Sequence, residues 1–199
     1  MPLTLPSQPG NRSITWMPQA AVRKSVSPFT FAPQTFDYGS ARWKVVLSLP
    51  PMTRAKADEW MAFFAKVRDQ EFYLGDSSRA DVSTTETPTL ASAVSSGSVF
   101  STTGWTPNQA DLLKPGDWFD ITAANGKKAL FQVSDSVSSD GSGNATINVF
   151  PNARTTINSG QALNFTSPVG VFLLDDFPAL EFDSNKLLQG FSFEASQVQ

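Results

Sequence analysis

The last regular stretch of the chain sets the strongest constraint on its fold. Phe191, Phe193 and Ala195 alternate with Ser192, Glu194 and Ser196, the period-2 pattern of a strand with one buried face. The run Val169 to Leu174 also reads as a strand, but one hairpin is only marginally stable alone. The missing partners must come from the other end of the chain. There Trp43, Val45, Leu47 and Leu49 alternate with Lys44, Val46 and Ser48. Phe29-Thr30-Phe31 and Thr35-Phe36-Asp37-Tyr38 precede them as β-prone runs, and Gly39-Ser40 supplies a turn, so this region reads as an antiparallel hairpin or meander. Up to Pro28 the text is rich in Pro, Gln, Ser and Gly with scattered Ile14, Trp16 and Val22, which predicts an extended arm or short strands joined by turns.

Pro50-Pro51 ends the strand because neither ring donates a ladder hydrogen bond, and Thr53 is placed to cap a helix over about 53–68. Trp60, Phe63, Phe64 and Val67 fall at spacings of three and four, an apolar stripe that packs on a sheet. Asp58 and Glu59 lie early and Lys66 and Arg68 late, as the helix dipole prefers. Glu71-Phe72-Tyr73-Leu74 returns as a strand, Gly75-Asp76 breaks the chain, and composition then shifts to Ser, Thr, Gly and Asp, with a boundary near Ala80. From Asp81 to Phe165 the punctuation is that of hairpins. Pro115-Gly116 suits a type II turn, Asn125-Gly126 a type I′ turn, and Asp140-Gly141 a further tip.

The expectation is a mainly β protein. Residues 1–80 and 166–199 form a split, β-sandwich-like domain with the one helix packed on it, and residues 81–165 form an inserted small β-barrel, a placement that surface loops tolerate. The expected core includes Trp43, Trp60, Phe63, Phe64, Trp118, Phe191 and Phe193.

The chain contains no His and no Cys. That removes the commonest general base and metal ligands, and with them zinc hydrolysis and any Ser-His-Asp or Cys-His arrangement. We expect no catalytic residue, no metal and no cofactor. Asp175-Asp176 with Glu181 and Asp183 are the remaining carboxylates for an acid/base pair, but neighbouring strand residues point to opposite faces. The stretch Asp135 to Asn144 is rich in oxygen ligands yet lacks the acidic spacing and terminal Glu of an EF-hand, and reads as a hairpin tip. Trp105 is the candidate for stacking on a sugar ring, whereas Trp118 reads as core of a barrel strand. A net charge of −3, with no cluster of Lys and Arg, gives no footprint for gripping a nucleic-acid backbone. Val171-Phe172-Leu173-Leu174 is far too short to span a bilayer, and Met1 to Pro6 lacks a secretory signal, so no membrane association is expected.

Gln34-Thr35-Phe36-Asp37-Tyr38-Gly39, then Trp43-Lys44-Val45, Leu49-Pro50-Pro51-Met52-Thr53-Arg54-Ala55, Trp60 with Phe63-Phe64, and Phe72-Tyr73-Leu74-Gly75-Asp76 together resemble the amino-terminal region of tail proteins from long-tailed, non-contractile bacteriophages. Leu113-Lys114-Pro115-Gly116-Asp117 and Ala145-Thr146-Ile147-Asn148-Val149-Phe150-Pro151 continue the likeness. In overall plan the chain is similar to the distal tail protein family, which pairs a ring-forming β domain carrying one helix with a second β domain, OB-like in some members. The resemblance implies a structural virion protein: a homo-oligomer, hexameric in the family, assembled in the host cytoplasm and joining the tail tube protein to the tail-tip or baseplate hub. DNA passes its lumen without specific binding. It brings no catalytic residues. The alternative is a carbohydrate-binding or host-adhesion module.

Overall fold

The computed structural model describes residues 2–6, 13–75, 85–182 and 189–199; the boundary expected near Ala80 and the carboxylate of Asp183 lie outside these. Among the described residues the protein is mainly β, with two sheets and one helix. Strand β1 (Leu3–Thr4), β2 (Ser13–Val26), β3 (Pro33–Leu49), helix α1 (Arg54–Val67) and β4 (Phe72–Leu74) come first. Strands β5 (Thr89–Leu90), β6 (Gly97–Thr103), β7 (Trp118–Thr122), β8 (Lys128–Val133) and β9 (Asn144–Ala153) follow, then β10 (Gly170–Leu174) and β11 (Phe191–Val198).

Strands from both ends of the chain share a six-stranded sheet ordered β1-β4-β10-β11-β3-β2. The alternating C-terminal strand lies antiparallel against the alternating N-terminal one, Phe191 opposite Leu49, Phe193 opposite Leu47 and Ala195 opposite Val45. All six of these side chains are buried on one face. Helix α1 covers that face. Its stripe of Ala57, Trp60, Phe63, Phe64 and Val67 is buried, and Trp60 and Phe64 each meet both Phe191 and Phe193 at centroid distances of 5.5–6.0 Å. Each such side chain contributes about 1.5–3 kcal/mol when fully buried, so the stripe outweighs the helix's own propensity. Thr53 is the N-cap by backbone geometry, but its side chain makes no capping hydrogen bond; its carbonyl accepts the first helical bond, from Ala57 at 3.0 Å. Among the described residues no helix is long and apolar enough to cross a membrane.

The other five strands form a sheet ordered β5-β6-β9-β8-β7, curled into a half-barrel. Its two edges are linked through one short segment, since Ala162 bridges Thr89 of β5 and Asn164 bridges Asp120 of β7. Phe100, Phe119, Phe131, Ile147 and Phe165 are among the residues that fill the interior. The Asn125-Gly126 hairpin departs from the type I′ turn expected of it, and the tip at Asp140-Gly141 uses the same alternative. Gly126 and Gly143 carry positive φ of 77° and 73°, while Asn125 and Gly141 do not. Gly126 N donates to Ala123 O and Gly143 N to Asp140 O, the arrangement of a type I turn closed by a left-handed glycine. Asn125 caps from its side chain, accepting from Lys127 N at 2.9 Å.

The two sheets meet through a shared core. Strand β7 is buried on both sides: Phe119 and Ile121 face the half-barrel interior, whereas Trp118 joins the core of the six-stranded sheet, as do Leu130 and Phe150. Trp118 is therefore core, but of the neighbouring unit. Trp16, Trp43, Trp118 and Phe150 form one aromatic cluster there. Buried Gln197 stitches the junction, its Nε2 donating to Leu130 O at 2.8 Å and its Oε1 accepting from Trp43 N at 3.3 Å.

Candidate functional site

Strand β11 pairs with β3 only as far as Lys44, yet β2 and β3 continue together to Val26 and Pro33. Beyond the paired alanines Ala20 and Ala41 the hairpin is a two-stranded ribbon with no third strand among the described residues. Every residue from 21 to 40 is exposed except half-buried Ser27. Counted along the strand, the ribbon reaches roughly 20 Å past its root at about 3.3 Å per residue.

The expected turn at Gly39-Ser40 lies inside this ribbon instead. Pairing jumps there from Ala20/Ala41 to Val22/Asp37, so Tyr38, Gly39 and Ser40 bulge opposite Ala21. Gly39, at φ 69°, supplies the left-handed residue that such a bulge needs, and Asp37 Oδ1 holds it by accepting from Gly39 N at 2.8 Å. The chain reverses at Ser27–Ala32, where Phe31 N donates to Ser27 O at 2.9 Å. Phe29-Thr30-Phe31, expected as strand, is the tip. Pro28 and Pro33 bracket it, a turn signal that outranks the β-propensity of the phenylalanines.

The tip breaks two rules at once. Phe29 and Phe31 are 92% and 78% exposed, and Phe31 has a φ of 54°, a conformation costing a bulky residue about 1–2 kcal/mol. Val22, Val26, Phe36 and Tyr38 are exposed along the same ribbon. The arm carries exposed apolar side chains on both faces, Val22 and Val26 on one and Phe36 on the other, and exposed apolar surface of this kind marks a contact site. Local rules are broken where function requires it.

At the root of the arm an open cleft of about 580 Å³ is lined by residues including Pro18, Gln19, Arg42 and Arg154. Gln19 Oε1 accepts from Arg42 Nε at 3.0 Å, and Arg154 reaches Gln197 O at 3.4 Å. Asn152 Nδ2 donates to Gly39 O at 3.0 Å, joining β9 to the bulge. The pKa of Arg154 is lowered below the ordinary guanidinium value, first by partial withdrawal of the group from water and then by the neighbouring charge of Arg42, although the residue as a whole is exposed.

The other residues singled out from sequence lie elsewhere. Trp105 is 4% exposed; its indole N–H donates to Thr102 Oγ1 at 2.8 Å, and its ring packs near Phe165 at 6.1 Å. At that burial it has no free face for a sugar. Asp175 is bound by Ser196 Oγ at 2.9 Å and by Lys44 Nζ at 3.6 Å, and Lys44 also pairs with Glu194 at 2.6 Å. The hydrogen bond to Glu194 is the largest cause raising the Lys44 pKa above its ordinary value. The Asp135–Asn144 stretch is a hairpin tip whose Asp140 carboxylate accepts from Ser142 N, Asn144 N and Asn144 Nδ2. Among the described residues no group of acidic side chains is arranged to hold a metal ion.

One buried carboxylate carried no signal in the sequence. Asp120, 2% exposed, accepts from Asn164 Nδ2 at 2.8 Å, Val169 N at 3.0 Å and Lys128 Nζ at 3.3 Å. It ties the segment leaving the half-barrel to β7, a structural task. No protein-family model matches the chain, and no curated protein matches it in sequence.

Proposed function

We propose that the protein is a structural component that works by associating with copies of itself into a ring, and that the ring is of the distal tail kind. In this reading it joins the tube of a long, non-contractile phage tail to the hub at its tip and leaves a lumen for DNA. The observation that carries the proposal is the solvent-exposed β2–β3 arm tipped by Phe29 and Phe31. An arm without a core gains its stability from a partner, and its apolar surface suits burial between subunits. The plan of the chain supports the same reading: a helix-backed sheet assembled from both ends, with a second β unit carried between them.

The test is to image the purified protein and sediment it, alone and with a tail tube protein. An annulus with a central hole is expected. A monomer that persists at high concentration in both conditions overturns the proposal.

A further inference from the structure

The six-stranded sheet presents different chemistry at its two ends. Where β3 emerges from the arm, Arg42 and Arg154 flank the open cleft, and among the described residues neither guanidinium has a carboxylate partner. Arg23 and Lys24 extend the positive charge onto the arm, beside Val22, Phe36 and Tyr38, which are exposed. Strand β3 ends at Leu49, opposite the start of β11 at Phe191, and β10 runs toward this end, finishing at Leu174 opposite Ala195. Just past β10, Asp175 reaches back to Lys44 and Ser196, but the next residue, Asp176, is exposed and its carboxylate has no partner among the described residues. Phe177 and Leu173 beside it are 53% and 38% exposed.

Each end therefore joins unpaired charge to apolar surface, with opposite signs. Guanidiniums and carboxylates pair through parallel hydrogen bonds, and two charges of one sign held side by side are relieved by a counter-charge between them. Within one copy the register sets Asp176 about five residues along β3 from Arg42, since Asp175 N donates to Glu194 O and Glu194 lies opposite Val46, a separation of roughly 16 Å along the strands.

We propose that the Arg42–Arg154 cleft of one copy receives the Asp176 carboxylate of the next, with Phe177 packing against the root of the arm. The inference rests on the self-association argued above and adds its geometry. Two unlike patches that fit each other make a heterologous contact, which generates a ring when the rotation closes. Complementary charge of this sort sets register and partner choice.

Charge reversal tests it by sedimentation, with thermal unfolding as the check that each variant is folded. Arg154→Glu and Asp176→Arg should each weaken self-association by at least about tenfold, and the double variant carrying both should recover most of the loss. Arg42→Glu gives a second approach that does not touch the Arg154 bond to Gln197. If the single variants associate like the parent, the cleft is not the contact, and the inference falls while self-association stands. If the singles fail and the double variant does not recover, the cleft serves another anion. Protection of the parent, but not of Arg154→Glu, by inorganic phosphate would identify that case and overturn the proposal. A parent protein that never associates, even with tube protein, removes both readings together.

Discussion

Trp118 of the half-barrel lies against Trp43 of the six-stranded sheet, with ring centroids 4.7 Å apart and planes inclined by 38°. Both are buried, and Trp16 and Phe150 complete the packing around Trp43. The inserted unit is thus joined to its host by a continuous core. The indole N–H groups of Trp16, Trp43 and Trp118 meet no acceptor, so the cluster owes its stability to ring packing, which offsets three unsatisfied donors.

Trp118→Ala should lower stability by about 3–5 kcal/mol, the cost of removing a large aromatic from a core. Trp118→Phe should cost much less, because it keeps ring contact and deletes a donor that has no acceptor. Urea unfolding of both variants measures the difference.

Gln197→Ala removes a buried donor and acceptor at once and strands Leu130 O. The loss should be about 1–3 kcal/mol. Proteolysis or hydrogen exchange at the junction should reveal looser coupling of the two units before global unfolding changes.

Gly143 and Gly126 hold equivalent positions in two hairpins and separate conformation from space. An added Cβ at Gly126 meets nothing within 4 Å, whereas at Gly143 it comes within 2.4 Å of Trp105 O. Gly126→Ala should cost about 1 kcal/mol for its positive φ, and Gly143→Ala more than about 2 kcal/mol because backbone must also move. Paired thermal melts decide it.

Asp140 makes the same hairpin sensitive to acid. Amide donation from Asn144 and Ser142 holds its carboxyl below the ordinary value of 3.8. A depressed native pKa adds stability that is present above the unfolded value and is lost as pH falls through the folded one. Asp140→Ala should therefore be less stable than the parent at neutral pH, and the gap should close on acidification below 3.8. A constant gap across thermal melts at each pH would contradict this.

Phe29→Ser with Phe31→Ser should leave the melting temperature of the isolated protein nearly unchanged, since substitutions at exposed positions stay within about 0.5 kcal/mol. Under the proposed function the same pair should abolish assembly, a contrast that size-exclusion chromatography reads directly.

The elements legible in the sequence were those whose period matched a single buried face. The alternation at Trp43–Leu49 and Phe191–Ser196 and the stripe Trp60-Phe63-Phe64-Val67 lie where their patterns place them. Trp118 was harder because β7 is buried on both sides, and periodicity cannot say which of two cores a residue joins. The sequence leaves the stretch up to Pro28 open between an extended arm and short strands joined by turns, and it does not show that the ribbon stands alone. Its phenylalanines have high β-propensity and its strands are real, but propensity carries no information about whether a third strand lies alongside. Trp105 is a stacking candidate by residue type alone, and its burial against Thr102, three residues back, is a matter of geometry that the sequence does not carry.

Strand β11 occupies the interior of the six-stranded sheet, between β10 and β3, yet it is the last strand in chain order. During synthesis the half-barrel strands emerge from the ribosome before the host sheet has its middle. The inserted unit's own hairpins can form early, while the root of the arm lacks its anchor until Phe191–Val198 arrives. Translation order thus lets the half-barrel close before the sheet that carries it has received its central strand.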